Sequence, residues 1–121
     1  MGYLERMREI KEKLMKDEPI WIPEKEALVI PPNIVFWLGA EDGKSFIIDG
    51  SPHEIARYVV TGRLSGSARM LVAVPDDLRP RQEAIERAFR ECSLGEPYST
   101  RLASLLVFEK LRWSEPGGGS G

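Results

Sequence analysis

The stretch 19–32 contains four prolines, and this is the feature that most restricts how the chain folds. Proline fixes φ and lacks a backbone N–H, so a helix does not run through such a stretch. The apolar runs 27–30 and 34–38 lie within and after it. Both runs are short and contain β-branched residues, which is typical of strands. The sequence therefore predicts an extended region with two strands here.

Before the prolines, apolar residues recur at spacings of three and four, which predicts an amphipathic helix over residues 3–17. We expect its apolar stripe to pack onto the sheet or onto a second copy of the chain. Trp21 lies between two isoleucines and is a further candidate for an interface, because interfaces favour tryptophan. The predicted interface residues are Leu4, Met7, Ile10, Leu14 and Trp21.

Two further apolar runs complete the predicted sheet. The run 45–49 follows 34–38 after Asp42-Gly43, a dipeptide that favours the positive φ angles of a tight hairpin turn. The two runs are therefore expected to pair antiparallel. The run 70–74 is continuous, short and β-branched, which favours a central strand covered on both faces.

The sharpest local signal in the chain is a helix start at residue 51. Ser51 supplies a capping hydroxyl, Pro52 suits the first helical position, and Glu54 stands three residues after the cap. This helix is predicted to run to Gly62, because glycine readily adopts the left-handed conformation that ends a helix.

The C-terminal part contains one predicted helix and one segment whose pattern fits two structures. Another helix is predicted to begin at Pro80, with Cys92 on its buried stripe. The apolar run 105–108 suits a strand, whereas the leucines from residue 102 onward also share one face of a helix. We favour a strand over 102–113.

Together these elements predict one α/β domain over residues 1–116, with a mixed β-sheet flanked by helices in the order α-β-β-β-α-β-α-β. A buried run between two helices needs cover on both sides, which requires helices on both faces. The final Gly/Ser run, 117–121, is typical of an added flexible linker.

Composition excludes several classes of protein. The 121 residues carry a net charge of −2 and include one histidine and one cysteine. A Cys/His zinc site cannot be built from these, and we expect no cofactor. No apolar stretch approaches the roughly 20 residues of a membrane helix. The single Cys92 cannot form an internal disulfide, which favours the reducing cytoplasm.

Pro32-Asn33 begins one predicted strand, a hairpin follows, and Asp49-Gly50-Ser51 ends the next strand. This layout resembles the restriction-endonuclease-like superfamily, which includes the archaeal Holliday-junction resolvases, over about residues 1–112. The resemblance implies a nuclease-like fold. In that family an aspartate after a proline and an (Asp/Glu)-x-Lys triplet hold a divalent metal. The later strand-helix-strand order also resembles the tRNA-splicing endonucleases.

The family's catalytic motif is degenerate in this chain. Asn33 stands in the place of the first metal-binding aspartate, Asp49 matches the first acid of the triplet, and Ser51 occupies the place of the lysine. Such a site needs two carboxylates to hold the ion and a lysine to orient or activate water. The resemblance therefore implies a member without catalytic residues and without a bound metal.

Arginine predominates among the basic residues after residue 56, and its planar guanidinium suits contacts with phosphate. The sequence pI of about 5.5 weighs against strong autonomous binding to nucleic acid, because neutralisation of phosphate dominates that affinity. We expect such binding to be weak and salt-sensitive. The candidate nucleic-acid-binding residues are Arg57, Arg63, Arg69, Arg79 and Arg81.

Three functions fit the sequence. The favoured one is a non-catalytic subunit of nuclease-like fold with a structural or binding role in nucleic-acid processing. The second is a protein-interaction module without a nucleic-acid role. The third is an active metal-dependent nuclease with relocated residues, for instance Asp49 with Glu41 or Asp42 and Lys44. A protein partner or a second copy is expected in the first two, and no membrane contact in any.

Overall fold

The computed structural model describes residues 2–39, 45–64, 66–73 and 75–104, which form a five-stranded sheet with helices on both faces. The strands are β1 (Ile20–Ile22), β2 (Ala27–Ile30), β3 (Ile34–Trp37), β4 (Ser45–Asp49) and β5 (Arg69–Val72). The helices are α1 (Tyr3–Met15), α2 (Pro52–Thr61), α3 (Pro75–Leu78) and α4 (Gln82–Glu91), with a 3₁₀ turn at Arg79–Arg81 and further helical turns over 98–104.

The sheet follows the order of the chain, β1-β2-β3-β4-β5, and every neighbouring pair is antiparallel. The predicted α/β class, with a sheet flanked by helices in a single small domain, is confirmed. The predicted antiparallel pairing of 34–38 with 45–49 is also confirmed. Among the described strands there is no parallel pair, so the sheet is antiparallel throughout rather than mixed.

Each face of the sheet contributes to its own hydrophobic cluster. Ala27 and Val29 of β2 point into the first cluster, which α1 and α2 complete. Leu28 and Ile30 point into the second cluster, which is completed by α3, α4 and Leu102. All four residues of β2 are buried, as the alternation of side chains along a strand covered on both faces requires. The fold is therefore a helix-sheet-helix sandwich centred on β2 and β3.

The amphipathic helix predicted over 3–17 is confirmed as α1. Its side chains Met7, Ile10 and Leu14 are buried in the first cluster of the same chain. Leu4 is 64% exposed in the single chain and lies outside this cluster, so its packing onto a second copy stays a prediction. The spacing of apolar residues identifies one face of a helix but not how far the neighbouring elements extend beneath it.

The helix start predicted at residue 51 is confirmed in detail. Ser51 Oγ accepts a hydrogen bond from the Glu54 N–H at 3.2 Å, and Glu54 Oε1 accepts one from the Ser51 N–H at 2.8 Å. Pro52 occupies the first turn, and Gly62 ends α2 with φ at 76°. Four signals in the sequence therefore act together to fix both ends of this helix.

The predicted central strand over 70–74 is wrong in its position. β5 lies at the edge of the sheet, and Met70, Leu71 and Val72 are 39%, 59% and 68% exposed. The buried residues of both clusters lie in or next to β1 to β4 and in the helices. None of them lies in β5, so this strand lacks the cover that was predicted on both of its faces. A short apolar run is compatible with a central strand and with an exposed edge strand, so its sequence does not distinguish the two positions.

The C-terminal strand predicted over 102–113 is wrong for residues 102–104, which continue the helical turns that begin at residue 98. Leu102 is buried in the second cluster. Residues 105–113 and the predicted Asp42-Gly43 turn lie outside the described residues. The sequence also left β1 unassigned, because a strand of three residues is too short to show alternation.

Replacing Ser51 with alanine should lower the free energy of unfolding by about 0.5–2 kcal/mol, because the N–H of Glu54 loses its acceptor. Chemical denaturation followed by circular dichroism measures this change. Ser104→Ala is the control, since Ser104 is exposed within the helical turns over 98–104. Equal stability of the two variants would contradict the capping role.

Candidate functional site

Asp49, the one acid of the family-like motif, is paired with an arginine. It ends β4, and Arg69 lies directly opposite at the start of β5. Arg69 Nη2 donates a hydrogen bond to Asp49 Oδ2 at 2.5 Å, and this bond raises the pKa of Arg69. Both side chains are exposed. A cation that used this carboxylate would have to displace the guanidinium.

The other two motif positions have structural roles. The Asn33 backbone carbonyl accepts a hydrogen bond from the Ile48 N–H at 2.8 Å, which joins the turn before β3 to β4. The Asn33 Oδ1 atom is buried and has no hydrogen-bond partner among the described residues. The Ser51 hydroxyl caps α2. The three positions therefore supply one carboxylate that is already paired, one neutral amide and one capping hydroxyl.

The described ranges contain no group of three or more histidine, cysteine, aspartate or glutamate side chains placed to hold a metal ion. Hard divalent cations take several oxygen ligands, usually including carboxylates. The relocated acids Glu41 and Asp42, and the base Lys44, lie outside the described residues. Within the described part of the chain, the family-like position has one carboxylate for an ion.

The five candidate arginines are distributed over both helical layers and the edge strand between them. Arg57 and Arg63 are exposed on α2 and just after it, Arg69 lies on β5, and Arg79 and Arg81 belong to the 3₁₀ turn. Arg79 Nη2 lies 3.7 Å from Asp76 Oδ1. Arg81 Nη1 donates to the Asp77 carbonyl at 2.9 Å. A nucleic-acid backbone bound at α2 would therefore lie on the opposite face of the sheet from the 3₁₀ turn with Arg79 and Arg81.

An open groove of about 730 Å³ lies between α1, the end of α2 and the turn that joins β1 to β2. Ile22 and Val59 contribute apolar surface to it. Arg6 Nε donates to Glu24 Oε2 at 2.9 Å, and Arg6 also donates to Glu9. A backbone hydrogen bond and then the bond from Arg6 lower the pKa of Glu24. The lining has four glutamates against two arginines and one lysine, so the groove lacks a one-sided charge that would select an ionic ligand.

Trp21, predicted as an interface residue, contacts another part of its own chain. Its ring centroid lies 4.8 Å from that of Tyr98, at the start of the helical turns over 98–104. The Tyr98 hydroxyl donates to Glu26 Oε2 at 2.5 Å, which raises the pKa of Tyr98. Trp21 is half-buried and packs against the second cluster. These contacts anchor the helical turns to β1 and β2.

The outer edge of β5 is the main apolar surface that sequence reasoning missed. The Ala73 N–H donates to the Ser45 carbonyl at 3.1 Å, and Leu71 lies opposite Ile47 in the same ladder. In an antiparallel ladder, residues alternate between bonding to the neighbour and pointing away from it. The N–H and C=O groups of Met70 and Val72 therefore point away from β4.

No signal in the sequence identifies this edge. Three consecutive apolar residues stand in β5, and they resemble a central strand in composition and length. The described helices pack over the other strands and leave these three residues exposed. The exposure of β5 therefore depends on tertiary packing.

Cys92 should react slowly with iodoacetamide at neutral pH. The residue is half-buried after α4, and burial is the main cause that raises the pKa of its thiol, so little thiolate is present. The measurement compares the alkylation rate of the folded protein with that of the same protein in denaturant, using mass spectrometry. Equal rates would contradict the packing of Cys92.

Comparisons with protein-family models, with curated proteins and with solved structures find no match to this chain. In the described part of the chain, no helix is both long and apolar enough to cross a membrane.

Proposed function

We propose that this protein is a non-catalytic interaction subunit that binds a protein strand through the outer edge of β5. The observation that carries the proposal is the exposure of Met70, Leu71 and Val72 in a strand with one sheet neighbour among the described residues. Proteins usually protect such edges with charges, prolines or bulges, because unpaired backbone groups template further pairing. In β5 the sole charged residue is Arg69, at its first position.

The opposite edge of the sheet has the protection that β5 lacks. β1 is three residues long, Pro19 precedes it, and Pro23 follows it directly. Prolines at an edge strand are a recognised way of limiting edge-to-edge pairing, and β5 contains none. The contrast between the two edges of one sheet supports a binding role for β5 in particular.

The chemistry of this edge suits the addition of a strand. Backbone hydrogen bonds to Met70 and Val72 would supply affinity, and side chains on alternate faces would supply specificity. Met70 and Val72 lie opposite Ile48 and Phe46, which face the first cluster. An added strand would therefore extend the apolar face that α1 and α2 already cover, while contacting Leu71 on the other face.

A role in nucleic-acid processing is the second candidate, and the exposure of Arg57 and Arg63 favours it. A non-catalytic subunit of nuclease-like fold would use such residues to contact phosphate. Each contact with duplex DNA adds roughly −0.9 to the slope of log affinity against log salt, so this binding would weaken steeply with salt. The two candidates are compatible if β5 binds the protein partner of a nucleic-acid complex.

We expect no cleavage of duplex, branched or single-stranded nucleic acid in Mg²⁺ or Mn²⁺. The pairing of Asp49 with Arg69, and the neutral groups of Asn33 and Ser51, leave a hard cation with too few anionic ligands. The assay compares the protein with Asp49→Ala and with Glu83→Ala, a control at an exposed acid of α4. Metal-dependent cutting that Asp49→Ala abolishes and Glu83→Ala retains would overturn the non-catalytic assignment.

A synthetic peptide with the sequence of residues 66–74 should bind the edge of β5. Exchange of the Met70 and Val72 amide hydrogens should slow when the peptide is added, because these groups acquire acceptors. Hydrogen exchange followed by NMR measures this effect residue by residue.

The control peptide carries proline at the position of Val72, which removes a backbone donor that the added strand needs. We expect this peptide to have no effect on exchange. Equal effects of the two peptides, or slowed exchange only at sites away from β5, would overturn the proposed function.

A further inference from the structure

We propose that the strand bound by β5 is β5 of a second copy of this chain, paired antiparallel with Leu71 opposite Leu71 of the partner subunit. The inference rests on the proposed function, because it names the partner for the same edge. The pair would join two antiparallel sheets into one continuous sheet across a two-fold axis. Two properties of β5 favour this arrangement, namely its hydrogen-bonding pattern and its side chains.

The hydrogen-bonding pattern of β5 is self-complementary about Leu71. Leu71 bonds inward to β4, whereas Met70 and Val72 direct their N–H and C=O groups outward. With Leu71 on the two-fold axis, Met70 of each copy lies opposite Val72 of the other. Both positions are of the outward-bonding type, so all the outward-facing groups of these residues find partners.

The side chains match in the same register. Residues directly opposite in an antiparallel pair share a face, so each Met70 would contact Val72 of the partner subunit on the face of the first cluster. The two Leu71 side chains would contact one another on the opposite face. The exposed apolar residues of β5 would thereby be covered on both faces by the same residues of the other copy.

Sedimentation of the full chain over a wide range of protein concentration tests the association. We expect a dimer that becomes monomer on dilution. Leu71→Glu should abolish the dimer, because the two-fold axis would place two carboxylates opposite one another. Leu4→Glu is the matched control, because Leu4 is similarly exposed but lies on α1, and it should leave the dimer intact. A dimer that persists in Leu71→Glu would overturn the proposal.

The register is tested by disulfide trapping in a Cys92→Ala background. In a non-hydrogen-bonded antiparallel pair the Cα atoms are about 4.5 Å apart, which a disulfide can span. Leu71→Cys should therefore form a covalent dimer on mild oxidation. Val72→Cys should do so much more slowly, because Val72 lies opposite Met70 of the partner subunit rather than opposite itself. The reverse preference would overturn the register.

Failure of this inference can be separated from failure of the proposed function. A chain that remains monomeric at every concentration, yet shows slowed exchange at β5 when the 66–74 peptide is added, would overturn the second copy as partner and keep β5 as a binding edge. A monomer that does not respond to the peptide would overturn both. Circular dichroism of each variant establishes that it is folded before its association state is compared.

Discussion

Burial of β2 on both faces is the constraint on which the rest of this fold depends. Successive side chains of a strand point to opposite sides, so Ala27 and Val29 need one helical layer and Leu28 and Ile30 need another. α1 and α2 supply the first layer, and α4 with the helical turns over 98–104 supplies the second. Helices placed in this way cover the middle of the sheet, and β5 is left with apolar side chains in solvent.

The elements that could be predicted from sequence are those that depend on a few neighbouring residues. The hydroxyl of Ser51, the carboxylate of Glu54 and the φ freedom of Gly62 act within one helix, so the bounds of α2 followed directly. The position of β5 depends instead on which strands the helices cover. No short window of sequence contains that information, and for the same reason Leu102 proved helical rather than extended.

The candidate site shows the same division. Asp49 and Ser51 were identified from their spacing, and the capping role of Ser51 also followed from sequence. The guanidinium that pairs with Asp49 belongs to Arg69, on a different strand, and only the register of β4 against β5 brings the two together. Sequence reasoning placed Arg69 among the phosphate-binding candidates, because a cross-strand partner cannot be identified without the register.

The alternation along β5 limits how its edge can pair. The N–H and C=O groups of Met70 and Val72 point outward and those of Leu71 point inward, so a register that sets outward groups against inward groups leaves both without partners. A symmetric pair that keeps the alternation has one residue of the strand on its two-fold axis. With Met70 on the axis, Leu71 would lie opposite Arg69 of the partner subunit, and with Val72 on the axis it would lie opposite Ala73 of the partner subunit. With Leu71 on the axis, the three exposed apolar residues lie opposite one another, so this register covers the most apolar surface of β5.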